Sequence, residues 1–339
     1  FAVEPIQQGE FVKPEWQQSV DAFLGHMREN VCRGDAGLFK WLVAYFAHMV
    51  QKPGEKPLVA LVFRGGKGVG KTVVVQIIGG LLGSHFLLTS NRRYLVSNFN
   101  GHLERLLFFA LDEAAWPGDK QAEGVLKDLI TGATHLIEHK GEKPYTVTNL
   151  VRVAIIGNED WLAPMSHDER RFAAFNVGEG RKQDRQFFQA MREGMERGGY
   201  RLLLRYLLDF DLTGVDINEA PQTEESLNQK HESLGDVHKW WLDCLLEGQI
   251  VGSDFGATWP QEIETERFRS AFRRYSKDRN IRSRFPDSRA IGRLLKHCVP
   301  GMVKHRARRE DGMPYLYRLP ELDEARASWE KFIGHPVEW

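Results

Sequence analysis

Cysteine is nearly missing from this chain. Its three copies, Cys32, Cys244 and Cys298, lie far apart, with no C-x-x-C pair and no His–Cys grouping at metal spacing. That argues against a disulfide framework and a structural zinc site, and fits buried free thiols in a reducing compartment. Long apolar runs are missing too. The longest candidate, Phe39 to Val50, is broken by Lys40 and His48 and falls short of the roughly 18 residues that a helical membrane span needs. The expected location is therefore cytoplasmic, with no membrane partner. No internal repeat and no long low-complexity tract is present, which excludes solenoids and compositionally biased tails. Position 1 is Phe rather than Met, so the chain is expected to be a fragment of a longer protein, and targeting cannot be read from it.

Charge of neither sign is in excess, since 46 Lys/Arg balance 46 Asp/Glu. The zero conceals an asymmetry. Between Arg267 and Arg309 stand fifteen Lys/Arg and two acids, Asp278 and Asp287, so the rest of the chain carries thirteen excess negative charges. A basic block suits either a nucleic-acid surface or an ordinary solvated face. With 339 residues, 42% of them hydrophobic, there is material for two or three domains.

One stretch organises the rest. Leu58 to Phe63 is a short apolar, β-branched run of the kind found in buried parallel strands. It leads into Gly65, Gly66, Lys67, Gly68, Val69, Gly70, Lys71 and Thr72, which match the phosphate-binding pattern G-x-x-x-x-G-K-[ST]. The glycines permit backbone angles that a Cβ forbids, so that the loop can wrap its N–H groups around a polyphosphate. Val74, Ile77, Ile78, Leu81 and Leu82 then follow at helical spacing, and a helix N-terminus adds free donors and a positive dipole end. Lys71 would reach the β- and γ-phosphates of ATP, and Thr72 would hold Mg²⁺.

A second apolar strand, Leu106 to Leu111, ends in Asp112 and Glu113. Two carboxylates at a strand end about forty residues after such a loop suit a metal-holding Asp112 and a Glu113 that polarises the attacking water. A third strand, Val151 to Ile156, ends in Gly157-Asn158, where an amide can sense a γ-phosphate. Arg170 and Arg171 precede a fourth, Ala173 to Val177. They suit surface ion pairs or a finger reaching a neighbouring subunit's nucleotide. Between the second and third strands, His135–Lys140 and Pro144–Thr148 flank Gly141–Lys143 and predict a β-hairpin with His139, Lys140 and Lys143 at its tip. By itself that tip reads as solvated lysines.

Around this core, residues 1–55 predict helices with one apolar face, through Val20, Phe23, Leu24 and Met27 and then Leu38, Trp41, Leu42, Tyr45, Phe46 and Met49. The core is expected over 56–210. Residues 211–236 are polar and acidic and read as a linker or a surface strap. Residues 237–339 predict three helices followed by two strands around a turn, the order of a winged helix. Arg289, Arg293, Arg306, Arg308 and Arg309 are its candidate phosphate contacts.

Taken together, the loop Gly65–Thr72, Asp112-Glu113, the Lys-bearing hairpin, Asn158 and Arg171-Phe172 resemble the superfamily 3 helicases, and more narrowly the helicase portion of phage and prophage primase-helicases. The resemblance covers roughly Trp41 to Val177. It implies an α/β, AAA+-like P-loop NTPase core with a parallel sheet and an inserted hairpin. It also implies ATP and Mg²⁺, single-stranded DNA gripped by Lys140 and Lys143 with His139 weaker, and Asn158 as the sensor. Arg171 is implied as the finger, with Arg170 competing. It implies further a homo-oligomeric ring, expected to be a hexamer, in a bacterial host's cytoplasm, with a primase or polymerase module preceding it in the same protein. The competing expectation is a P-loop ATPase that remodels protein, or serves loading or defence, without unwinding DNA.

Overall fold

A computed structural model describes residues 1–113, 119–165, 169–254, 256, 258–281, 288–308 and 313–339, without the side chains of 288–290 and 294. The chain divides into two compact units, the first made of Phe1–Met165 with Glu169–Glu232 and the second of Ser233–Trp339.

The first unit is mixed α/β. It opens with Pro14–His26 (α1), which starts on a helix-compatible proline and continues through a π-helical turn, Met27–Val31. Ala36–Gln51 (α2) is capped by Asp35, whose carboxylate accepts from the Leu38 N–H at 2.9 Å. Next come Ala60–Arg64 (β1), Lys71–Leu82 (α3), Phe86–Thr89 (β2), the short Arg93–Val96 (α4) and Phe108–Asp112 (β3). Lys120–Thr131 (α5) leads to a two-stranded hairpin, Thr134–Ile137 (β4) and Tyr145–Thr148 (β5). Arg152–Gly157 (β6), Phe172–Asn176 (β7), Arg185–Gly194 (α6), Tyr200–Asp209 (α7) and Glu224–Glu232 (α8) complete the unit.

Five strands form one parallel sheet in the order β2-β3-β6-β1-β7. Both faces of β1, β3, β6 and β7 are covered, which is why the middle residues of these strands are apolar. Successive residues go to opposite faces. Leu61 and Phe63 join a buried cluster with α1, α2, α3, α6 and α7, whereas Ala60 and Val62 join another with α5 and Leu162. Residues 1–55 are therefore not a body apart. Val20, Phe23, Tyr45 and Phe46 share one core with the sheet and with Met191, Leu203 and Leu207.

The stretch expected as a linker or strap lies along this unit up to Glu232. The Trp41 indole N–H donates to the carbonyls of Asp216 and Glu219. In α8, Glu225 and Gln229 are buried. Gln229 donates to the Asp160 carbonyl at 2.6 Å and accepts from the Leu162 N–H at 2.8 Å. Leu212, Val215 and Ala220 pack against the main core, whereas α8 docks through polar groups that an apolar pattern could not announce.

The second unit comprises Asp236–Glu247 (α9), Glu262–Glu264 (β8), Thr265–Asp278 (α10), Ser288–Leu295 (α11), Val303–Arg306 (β9), Tyr315–Arg318 (β10) and Leu322–Ile333 (α12). Its three strands form an antiparallel sheet in the order β8-β10-β9. Trp240, Trp241, Phe268, Phe272 and Trp329 fill its core.

All three cysteines are buried and free. Burial raises each thiol, those of Cys32 and Cys298 to about 12. Among the described residues, no helix is long and apolar enough to cross a membrane.

Candidate functional site

The carboxyl ends of β1, β3 and β6 meet at one edge of the sheet, the edge where open parallel sheets hold ligands. Arg64 pairs in register with Gly157, and Asp112 with Ile156. The loop 65–70 leaves β1 there. Two of its glycines are required. Gly65 has φ +153°, and a Cβ on it would lie 2.8 Å from the Val177 carbonyl oxygen. Gly70 has φ +94°, and its Cβ would meet the Phe188 ring at 2.5 Å and the His26 Nε2 at 2.7 Å. The loop is thus wedged between α1, α6 and the segment after β7. Lys71 opens α3 and is buried. Its Nζ donates to the carbonyls of Gly65 at 2.6 Å and Gly66 at 2.8 Å. Burial lowers this ammonium below its usual value, against the pull of the Asp112 and Glu113 charges.

Thr72 Oγ1 lies 3.4 Å from Asp112 Oδ2. A hydroxyl and a carboxylate, both hard oxygen donors, are the ligands a Mg²⁺ with retained water prefers. Burial first, and the Glu113 charge second, raise the Asp112 carboxyl above its ordinary value, while the Thr72 bond and Lys71 hold it down. Glu113 adopts φ +55°, unusual for a residue with a side chain. Its N–H donates to the Ile156 carbonyl at 2.8 Å, directly after the last residue of β3. Asn158 follows the last residue of β6 and is half-buried.

Arg170 and Arg171 lie at the opposite end of the sheet. Phe172 is in register with Ala60, and the Ala60 N–H donates to the Arg171 carbonyl at 2.7 Å. The full length of β1, roughly 16 Å at 3.3 Å per residue, separates them from their own Gly65 loop. Arg171 is half-buried. Its Nε donates to the buried Glu169 carboxylate at 2.7 Å, and the same oxygen accepts from the Arg170 and Arg171 N–H groups. Arg170 is exposed.

In the hairpin, Lys140 and Lys143 are exposed at the tip. His139 is turned back from it. Its ring stacks on Tyr145 with centroids 6.0 Å apart and lies 3.7 Å from Glu104. Asn100 clamps the outer edge of β4, donating to the Leu136 carbonyl and accepting from the Glu138 N–H, both at 2.9 Å.

Sequence patterns gave no hint of the second wall of the site. A cleft of about 870 Å³ opens beside residues 67–73 and is closed by Gln183, Arg185, Phe188, Gln189 and Arg192. The spacing of Phe187, Phe188 and Met191 predicts a helix with a buried face but not what its outer face meets. The available signal was the 185, 189, 192 spacing, which puts three polar side chains on one stripe.

In the second unit, Arg293, Arg306 and Arg308 are exposed. Arg289 belongs to α11, but its side chain, like all of Arg309, lies outside the described residues. Lys304 and Arg306 alternate on β9 and both approach the exposed Tyr315 ring, at 4.5 and 4.3 Å from its centroid. This aromatic between two cations was not anticipated.

The profile of a domain family of unknown function, DUF5906, matches residues 63–171. The chain is 25% identical over 233 residues to the DNA primase-polymerase of Nitratiruptor phage NrS-1, across 63% of this chain and 31% of that protein. It thus spans less than a third of that relative's length. Two apo structures of the NrS-1 C-terminal region are similar in fold. One has a TM-score of 0.65 at 18% identity, over 94% of this chain and 78% of that one. The other has a TM-score of 0.64 at 18% identity, over 94% and 77%.

Proposed function

We propose that this chain is the motor portion of a phage replication protein, a superfamily 3-type ATPase that moves along single-stranded DNA and unwinds duplex as a head-to-tail ring. The observation that carries the reading is the meeting of the Gly65–Thr72 loop, the Thr72–Asp112 pair, Glu113 and Asn158 at one sheet edge, with Arg170 and Arg171 a strand's length away. The loop amides and Lys71 bind the triphosphate. Thr72 and Asp112 hold Mg²⁺, which when bound offsets phosphate charge. Glu113 takes the proton of the attacking water, and Asn158 orients it. The two arginines cannot span the sheet to their own loop, so the finger is delivered to a neighbouring subunit, and repetition of that contact closes a ring. Lys140 and Lys143 grip the DNA backbone. In the second unit, read as a winged helix, Lys304, Arg306 and Tyr315 form a further nucleic-acid face. Likeness to a phage primase-polymerase supports the replication setting and a priming module elsewhere in the same protein.

The test is ATP hydrolysis by the full chain with and without single-stranded DNA. DNA should stimulate the rate, and Lys71→Ala should lower it on the order of a hundredfold. Undiminished hydrolysis by Lys71→Ala would overturn the assignment. A rate indifferent to DNA would point instead to an ATPase that remodels protein.

A further inference from the structure

We propose that the outer face of α6 is the nucleoside wall of the site, with Gln189 and Arg192, aided by Arg185, holding the base and ribose of the bound nucleotide. The assignment rests on the nucleotide-binding reading above and deepens it.

Three observations carry it. First, the cleft beside the loop includes Thr72 and Val73 but neither Asp112 nor Glu113. A triphosphate whose γ end faces those carboxylates must therefore run its other end into this cleft. Second, Arg185, Gln189 and Arg192 recur at i, i+4 and i+7 and line the cleft from one side of the helix, with the buried Phe188 ring between them as an apolar floor and Met191 turned into the core. This stripe is rich in N–H donors and carries one carboxamide, suiting a ligand that presents hydroxyl oxygens and ring nitrogens. A guanidinium also stacks on a flat aromatic base, and a carboxamide pairs with a base edge.

Third, the wall and the loop are one rigid piece. The Gln183 N–H donates to the Gly68 carbonyl at 2.9 Å. Asp184 caps α6 by accepting from the Phe187 N–H at 3.1 Å, and the Phe188 ring fills the space that a Gly70 side chain would need. A wall fixed this way is preorganised, so binding does not first have to order it.

The experiment is calorimetric titration of the full chain with Mg·ATP and, separately, with inorganic tripolyphosphate. Gln189→Ala/Arg192→Ala, at two exposed positions, is the test variant and Lys71→Ala the control. The variant should lose roughly ten- to a hundredfold in ATP affinity while tripolyphosphate binding stays unchanged. Lys71→Ala should lose both. If the double variant loses both ligands equally, the arginine serves phosphate and the nucleoside assignment is wrong. An unchanged ATP affinity also overturns it. If the unaltered chain binds neither ligand, the underlying nucleotide reading fails, and this assignment fails with it.

Discussion

His26 is an apolar-pocket histidine pressed against Gly70 and the Phe188 ring, whose centroids are 5.2 Å apart in an edge-on pair. Burial lowers its pKa from 6.5 to about 4. The folded state then binds fewer protons than the unfolded chain between these two values, so this contribution to stability is whole above pH 6.5 and is lost as pH falls toward 4. The loss should reach about 3 kcal/mol. Urea midpoints followed across that range should fall steeply for the unaltered protein and less steeply for His26→Gln. Parallel slopes would show that the ring is not the titrating group. At this scale the sequence was eloquent about chemistry and silent about support. Lys71, Thr72, Asp112 and Glu113 stand at motif spacings, whereas His26 reaches Gly70 from another helix, and no local pattern records such a contact.

Among the elements, the hairpin β4–β5 was readable because alternation and a glycine turn are local signals. Its anchoring was not, since Asn100 and Glu104 come from a segment more than thirty residues earlier. The anchor changes what each tip residue can do. His139 is held at the base by Tyr145 and Glu104, which leaves Lys140 and Lys143 as the free cations of the tip. Lys140→Ala/Lys143→Ala should bring the ratio of DNA-stimulated to basal ATPase down toward one. His139→Ala should change that ratio less and lower stability instead. Unwinding that survives the double substitution intact would sink the DNA-gripping role proposed for the tip. The α8 strap makes a related point, because it docks through Gln229 and Glu225, and polar docking resembles solvated loop in a sequence.

For the whole molecule, apolar runs revealed four of the five strands of the parallel sheet, but neither the short edge strand β2 nor the order of the five. Strand pairing is non-local, so nothing in β6 announces that it lies between β1 and β3. Helical periodicity likewise gave the buried faces of α1 and α2 without revealing that α6 and α7 complete the same core. The parallel direction of β1 and β7 bears on the proposed assembly, because it sets the arginines on the rim opposite the Gly65 loop. Subunits carrying Arg170→Ala/Arg171→Ala and subunits carrying Glu113→Gln should each be inactive alone. Mixed, they should regain part of the activity, since some interfaces then pair an intact loop with an intact finger. Titrated mixtures assayed for ATPase would reveal this, and a strictly additive absence of activity would make the arginines structural.

The burial of Cys32, Cys244 and Cys298 gives the molecule a practical property. With every native thiol shielded and two held at about 12, thiol-directed dyes meet a silent background at neutral pH. A single cysteine introduced in place of Lys143 would be the one reactive handle on the folded chain. A fluorophore there would report hairpin movement during turnover without any of the original cysteines first being replaced.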